Sequence, residues 1–240
     1  ENTAVGREAL KVFTGSGATV VGSGAADSAT SATNLTAVGY QALGACTDGL
    51  SNTAVGKDAL LFLTTGDYNT ALGESAGYLT TGSSNTFVGR YAGVYASSTD
   101  DCIAIGRSAL SGASGAGNDV TGNYNIAVGN YALDAVTSGY SNVATGHQAG
   151  TNLVGGNHNI LLGYQAGLSL TDNTNNIAIG SNALDAANLG ENFNIAIGSG
   201  ALGAETSGSD YCVAVGHNAL LLQNANVKNT AIGGLAGDSI

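Results

Sequence analysis

Only a few side chains in this sequence could do chemistry. They are the thiols of Cys46, Cys102 and Cys212, the imidazoles of His147, His158 and His217, and scattered carboxylates such as Asp48, Asp67, Asp100, Asp101, Asp119, Asp172, Glu191 and Asp210. A metal or catalytic centre needs several such groups at short spacing, or converging from neighbouring elements. The histidines are instead separated by whole copies of an internal repeat, with no carboxylate pattern recurring beside them. Cys102 and Cys212 hold the same position in copies far apart, and a disulfide tolerates no more than about 7 Å between Cα atoms, so they read as separate buried thiols. Paired catalytic acids require an enclosing cleft that a smooth rod lacks. The Gly-Gly-x-Gly-x-Asp nonapeptide of calcium-binding repeats is absent. The sequence therefore points to no catalytic residue, no metal and no cofactor, and the acids read as solubilising.

The elements around these groups are set by an unusual composition. The 240 residues include 38 glycines and no proline, methionine or tryptophan, and 43% are hydrophobic. Alanine and glycine bury little area each, so bulky core packing cannot be the main stabiliser. The apolar content is nevertheless too high and too regular for a disordered linker. Six Lys and Arg against seventeen Asp and Glu leave a formal charge of −11, which repels phosphate backbones and anionic lipid. No apolar run is long enough to span a bilayer, so neither nucleic acid nor membrane insertion is expected. With no methionine at all, the sequence reads as part of a longer polypeptide.

A repeat organises the whole chain. Aligned on the glycine of Asn-Thr-Ala-Val-Gly at residues 2–6, fourteen copies follow at intervals of 16 to 18 residues, except one interval of 23 between Gly106 and Gly129. Three residues after each glycine stands an alanine, from Ala9 to Ala236. One residue before it is aliphatic in every copy except Thr145. Three before it is β-branched throughout, from Thr3 to Thr230. Four before it is Asn in ten copies. Side chains alternate across a strand, so the β-branched and aliphatic columns share one face while alanine and asparagine share the other. A strand and a glycine turn every seventeen residues describe one coil of a solenoid, in which identical residues stack into ladders and asparagine amides can bond along the stack. The reading is an all-β parallel solenoid of about fourteen coils, forming a single repeat domain over residues 1–240.

The motif Asn-Thr-Ala-Val-Gly-x-x-Ala-Leu at residues 52–60, with Ile for Val at 194–202, resembles the head repeat of YadA-like trimeric autotransporter adhesins. It equally resembles the related repeats of phage and bacterial trimeric tail fibres. The resemblance covers residues 2–237. It implies a left-handed β-roll with two short strands per coil, three chains side by side, and an extracellular place on a cell surface or a virion tail fibre. The period here exceeds that of the adhesin heads, and stalk heptads and a membrane anchor are absent from this stretch.

The columns supply their own reason for association. Val5, Val38, Val55, Val88, Ile105, Val128, Ile179, Ile197, Val215 and Ile232 form an apolar stripe too long to leave in water, and a homotrimer would close it around an axis. The opposite assignment, with aliphatics inside each roll and alanine at the axis, stays open at this level. The expected function is a structural and adhesive segment of an extracellular trimeric fibre. A cell-surface glycan or protein receptor would be recognised through loops, and the long connection offers Asn118, Asp119, Asn123 and Tyr124. A passive spacer is the alternative. Weaker ones are an ice-binding solenoid, suggested by stacked Thr36, Thr53, Thr70 and Thr86, and a polysaccharide-degrading tailspike.

Overall fold

The computed structural model describes residues 1–112, 119–186, 192–204, 210–223 and 228–238. The chain divides into two compact units, residues 1–124 and 125–240. Among the described residues the regular elements are fourteen three-residue strands, and no helix is present. The first unit holds β1 (Thr3–Val5), β2 (Thr19–Val21), β3 (Thr36–Val38), β4 (Thr53–Val55), β5 (Thr70–Leu72), β6 (Thr86–Val88) and β7 (Ile103–Ile105). The second holds β8 (Ile126–Val128), β9 (Val143–Thr145), β10 (Ile160–Leu162), β11 (Ile177–Ile179), β12 (Ile195–Ile197), β13 (Val213–Val215) and β14 (Thr230–Ile232). Within each unit every strand pairs in parallel with its sequence neighbours and in repeat register, as in Thr36↔Thr53, Ala37↔Ala54 and Val38↔Val55. These are the β-branched, alanine, aliphatic triplets of the repeat. The fold is a β-solenoid.

From β2 to β13 each strand turns its central residue inward. Ala37, Ala54, Ala104, Ala127, Ala178 and Ala196 are fully buried, and so are the asparagines just before the strands, such as Asn52, Asn142 and Asn176. The flanking β-branched and aliphatic residues face outward in both units. This removes the alternative in which alanine lined the outer face. The narrow interior also explains the composition, since the strand alanines share it with fully buried leucines such as Leu43, Leu60 and Leu110.

The second half of each coil departs from the two-strand coil that the resemblance implied. The segment after the glycine, Gly-x-x-Ala-Leu, is a series of turns. Non-glycine residues adopt left-handed φ at two of its positions, for example Asp58 (φ 57) and Leu60 (φ 50), and again just before the buried asparagine, as at Tyr68 (φ 58). Each such residue costs about 1–3 kcal/mol unless its surroundings enforce it. Here the neighbouring coil does so. The Asp58 N–H donates to Tyr40 O (2.9 Å), Leu60 N–H to Ala76 O (3.0 Å) and Tyr68 N–H to Leu50 O (2.9 Å). The left-handed residues thus direct their amides along the stack, and the ladder continues where no strand exists. The repeat glycine serves the same stacking. Gly56 has φ +142, and a Cβ there would sit 2.4 Å from the carbonyl oxygen of Gly73 in the next coil.

Three coils hold larger residues in the alanine column, Val20, Phe87 and Leu161, and around the last two the interior compensates with glycine. Phe87 replaces alanine in β6, and the position four after the repeat glycine, Leu60 in the coil below, becomes Gly77 and Gly93 on either side of the ring. A Cβ on Gly93 would lie 2.4 Å from Phe87 Cε1, and one on Gly77 would lie 2.7 Å from Phe87 Cδ2. In the second unit Leu161 is accommodated by Gly150 and Gly167 in the same way, at 2.6 and 2.7 Å.

Candidate functional site

The strongest candidate is the outer face of the strands. Its base is a ladder of buried amides. Asn69 donates both its backbone N–H (2.8 Å) and its side-chain Nδ2 (3.2 Å) to Asn52 Oδ1, and Asn85 bonds Asn69 likewise. Nδ2 of each also donates to a carbonyl of its own coil, as Asn52 does to Gly66 O (2.7 Å). The second unit repeats the pattern through Asn125, Asn142, Asn159 and Asn176. Satisfied buried amides hold the strands that follow them at one height and one tilt. The side chains on the opposite face are thereby set in rows at the spacing of parallel strands, about 4.8 Å.

Both rows face outward, and one of them is aliphatic in every copy but Thr145. In the first unit Val5, Val21, Leu72, Ile103 and Ile105 are open to solvent, with Ile105 at 40%, while Val38, Val55 and Val88 are half-buried. In the second unit Ile160, Ile197 and Ile232 are open, with Ile197 at 37%, while Val128, Ile179 and Val215 are half-buried. The structure therefore brings the stripe residues of each unit onto one face. The two units differ in the column three before the glycine. It is threonine in six of seven copies in the first unit, and isoleucine or valine in six of seven in the second. No charged residue enters either column.

The candidate recognition loop is less coherent. Asn118 lies outside the described residues. Asp119 is half-buried. Asn123 Oδ1 accepts the backbone N–H of Asp100 (2.9 Å), so the side chain braces the neighbouring coil. Tyr124 is 59% exposed with φ 61, and its N–H donates to Asp100 O (3.2 Å). One aromatic ring is left outward, with Asp119 and Asn123 partly withdrawn.

Several acids do more than carry charge. Asp67 Oδ1 accepts the N–H of Leu50 (2.7 Å), Asp100 Oδ1 that of Ser83 (2.7 Å), Asp172 Oδ1 that of Gly155 (3.1 Å) and Asp210 Oδ1 that of Asn192 (2.6 Å). Asp67, Asp100 and Asp210 belong to a second side-chain ladder that sequence reading missed, whose only signal was the recurrence of Asp, Asn, Ser or Thr two residues before the asparagine column; Asp172 makes the same kind of bond from four residues before it. Asp48 accepts the hydroxyls of Ser31 and Thr30, and these hold its carboxyl below the usual range. Glu191 lies outside the described residues.

The thiols and imidazoles do not converge. Cys46, Cys102 and Cys212 are buried thiols. Cys102 and Cys212 stand in the asparagine column, where their backbone N–H groups are accepted by Asn85 (3.0 Å) and Asn194 (2.8 Å). Burial pushes the Cys46 thiol up to about 11. His147 stacks on Tyr164 at 5.7 Å, His158 meets Tyr140 edge-on at 5.1 Å, and His217 Nδ1 lies 3.1 Å from Ser199 O. Among the described residues no group of three His, Cys, Asp or Glu is placed to hold a metal ion, and no helix is long and apolar enough to cross a membrane. No protein-family model, curated protein or solved structure matches the chain.

Proposed function

We propose that the chain is a structural segment of an extracellular fibre, built from three parallel copies whose strand faces meet at a common axis. The observation that carries this reading is the uncharged aliphatic stripe exposed along each unit. A soluble chain rarely leaves such a surface open. Burying what remains exposed of two side chains per coil contributes roughly 1 kcal/mol each, so one seven-coil unit gains on the order of 10 kcal/mol. That is of the same size as the cost of association, about 4–15 kcal/mol. A short array would therefore not associate stably, and a long repetitive one would. The same period in every copy makes a second copy a commensurate partner at each coil. The resemblance to adhesin-head and tail-fibre repeats supports three chains and an extracellular site. Any adhesive role falls to outward rings such as Tyr124, with a cell-surface glycan or protein as ligand.

Sedimentation equilibrium of the full chain tests the assembly. A trimer at micromolar concentration is expected, and a folded monomer would refute the proposal. The threonine column of the first unit favours one other use, the ordering of water at an ice surface. A monomer that also depresses the freezing point below the melting point would establish that use instead.

A further inference from the structure

The stripe of the first unit is bracketed by unlike charge, and this deepens the proposed self-association, on which it rests. The strand crosses the face from the β-branched to the aliphatic column. Past the glycine it leaves through a column that holds Arg7, Lys57, Arg90 and Arg107, four of the six Lys and Arg in the chain, with Glu74 as its one acid. All four cations are exposed. Asp58 braces Lys57 at 3.2 Å and Glu74 braces Arg90 at 3.1 Å, yet both cationic side chains stay more than half open, at 58% and 54%. On the other side the chain enters the strand through two columns that hold Glu1, Asp67, Asp100 and Asp101 and no Lys or Arg. Over the two columns past the glycine, four cations against Glu8, Asp58 and Glu74 leave +1 on one flank, and over the two columns before the strand four carboxylates give −4 on the other.

We infer that these flanks select the direction in which copies of this chain associate. When two faces meet with their stacks running the same way, the symmetry axis lies along the stack. The basic flank of one copy then meets the acidic flank of the next, in a pair or in a ring of three. When the stacks run opposite ways, the two-fold axis lies across them and sets basic against basic and acidic against acidic. The apolar stripe alone cannot make this choice, because its rows read nearly alike in both directions. In register, Arg7 stands at the height of Glu1 and Arg107 at that of Asp100 and Asp101, with Glu74 against Asp67 as a like-charged pair.

The test places a single reactive thiol on the stripe with Val21→Cys, the three native thiols being buried. In a parallel assembly the new thiols of neighbouring copies meet, and mild oxidation links them. In an antiparallel one Val21 faces the far end of its partner. The comparison adds Asp67→Asn, Asp100→Asn and Asp101→Asn together. Asparagine keeps the Oδ1 acceptors and suits the left-handed φ of Asp101 (φ 56). Far-UV circular dichroism verifies that the triple variant is folded. Efficient linking at low salt is expected in the parent. In the triple variant, or at ~0.5 M salt, association should weaken by a factor on the order of ten, the worth of such rim pairs. Oligomers that fail to link at Val21→Cys would overturn the inference and leave self-association standing, as would oligomers whose linking ignores both salt and the triple change. A chain that sediments as a monomer in every background would overturn the proposed assembly and this inference with it.

Discussion

The pairing of Phe87 with Gly77 and Gly93 can be broken and repaired in steps. Phe87→Ala alone empties the space around a fully buried ring and should cost about 3–5 kcal/mol. Gly93→Leu alone drives a side chain into that ring, since even its Cβ would lie 2.4 Å from Cε1, and should cost about 1–3 kcal/mol or more. The backbone itself is not the obstacle. Leu60 and Leu110 hold the same place in other coils at φ 50 and 51, close to the φ of 60 at Gly93. The double change restores the alanine and leucine pair of those coils, and Gly77→Leu completes it. Chemical denaturation of the four chains, at one fixed concentration so that assembly contributes equally, gives the coupling. The two single changes should fail to add by about 2–3 kcal/mol, with the double variant more stable than Phe87→Ala. Costs that simply add would mean that the glycines are small for some other reason, and the compensation argued from these contacts would fall.

Other expectations follow from the same geometry. Asn142→Ala leaves the Asn159 N–H and the Gly156 carbonyl without their side-chain partner in a dry interior, and should cost about 2–4 kcal/mol in thermal melting. The buried hydroxyls of Thr80 and Thr99 have no hydrogen-bond partner, so Thr80→Val or Thr99→Val should raise stability by about 1 kcal/mol. Because the Cys46 thiol is raised from 9.0 to about 11, the folded chain holds that proton more tightly than the unfolded one. Its contribution is complete below pH 9.0 and is lost as pH rises towards 11, so the melting temperature should fall across that window, and less steeply in Cys46→Ala. Val128→Asp or Ile179→Asp places a carboxylate on the stripe and should abolish self-association in sedimentation while leaving the strand signal in circular dichroism, whereas Arg90→Ala should change little.

Much of this was legible because a repeat presents the same question fourteen times. The alternation at Thr53, Ala54 and Val55 identifies a strand and its faces in any one copy, and recurrence removes the ambiguity of so short a run. The Phe87 compensation was also readable in columns, as a large residue where alanine is the rule beside glycine where leucine is. The turn half of the coil was not. A leucine at φ 50 has no sequence signature, because its own preference opposes that conformation and only the amide ladder of the next coil enforces it. The carboxylates of Asp67 and Asp100 read as solubilising because their backbone partners lie about seventeen residues earlier, a relation fixed only once the coils are stacked. Asn123 stands in the long connection, but which of its atoms remained outward depended on the height of the coil that holds Asp100.

The ladders also determine where this chain tolerates a change of length. Each coil offers the coil above it the same amides, carbonyls and asparagine oxygen that it receives from the coil below. Removing residues 53–69 whole would join ends that already have matching partners, whereas removing half as many would strand every ladder at once. Growth and loss in units of one coil are therefore nearly silent, and a solenoid of this kind can be cut to measure. The exceptions are local: an excision that parted Phe87 from Gly77 or Gly93 would leave a ring facing a leucine or a void. Residues that read as irregularities within the repeat thus act as the seams along which the molecule must not be cut.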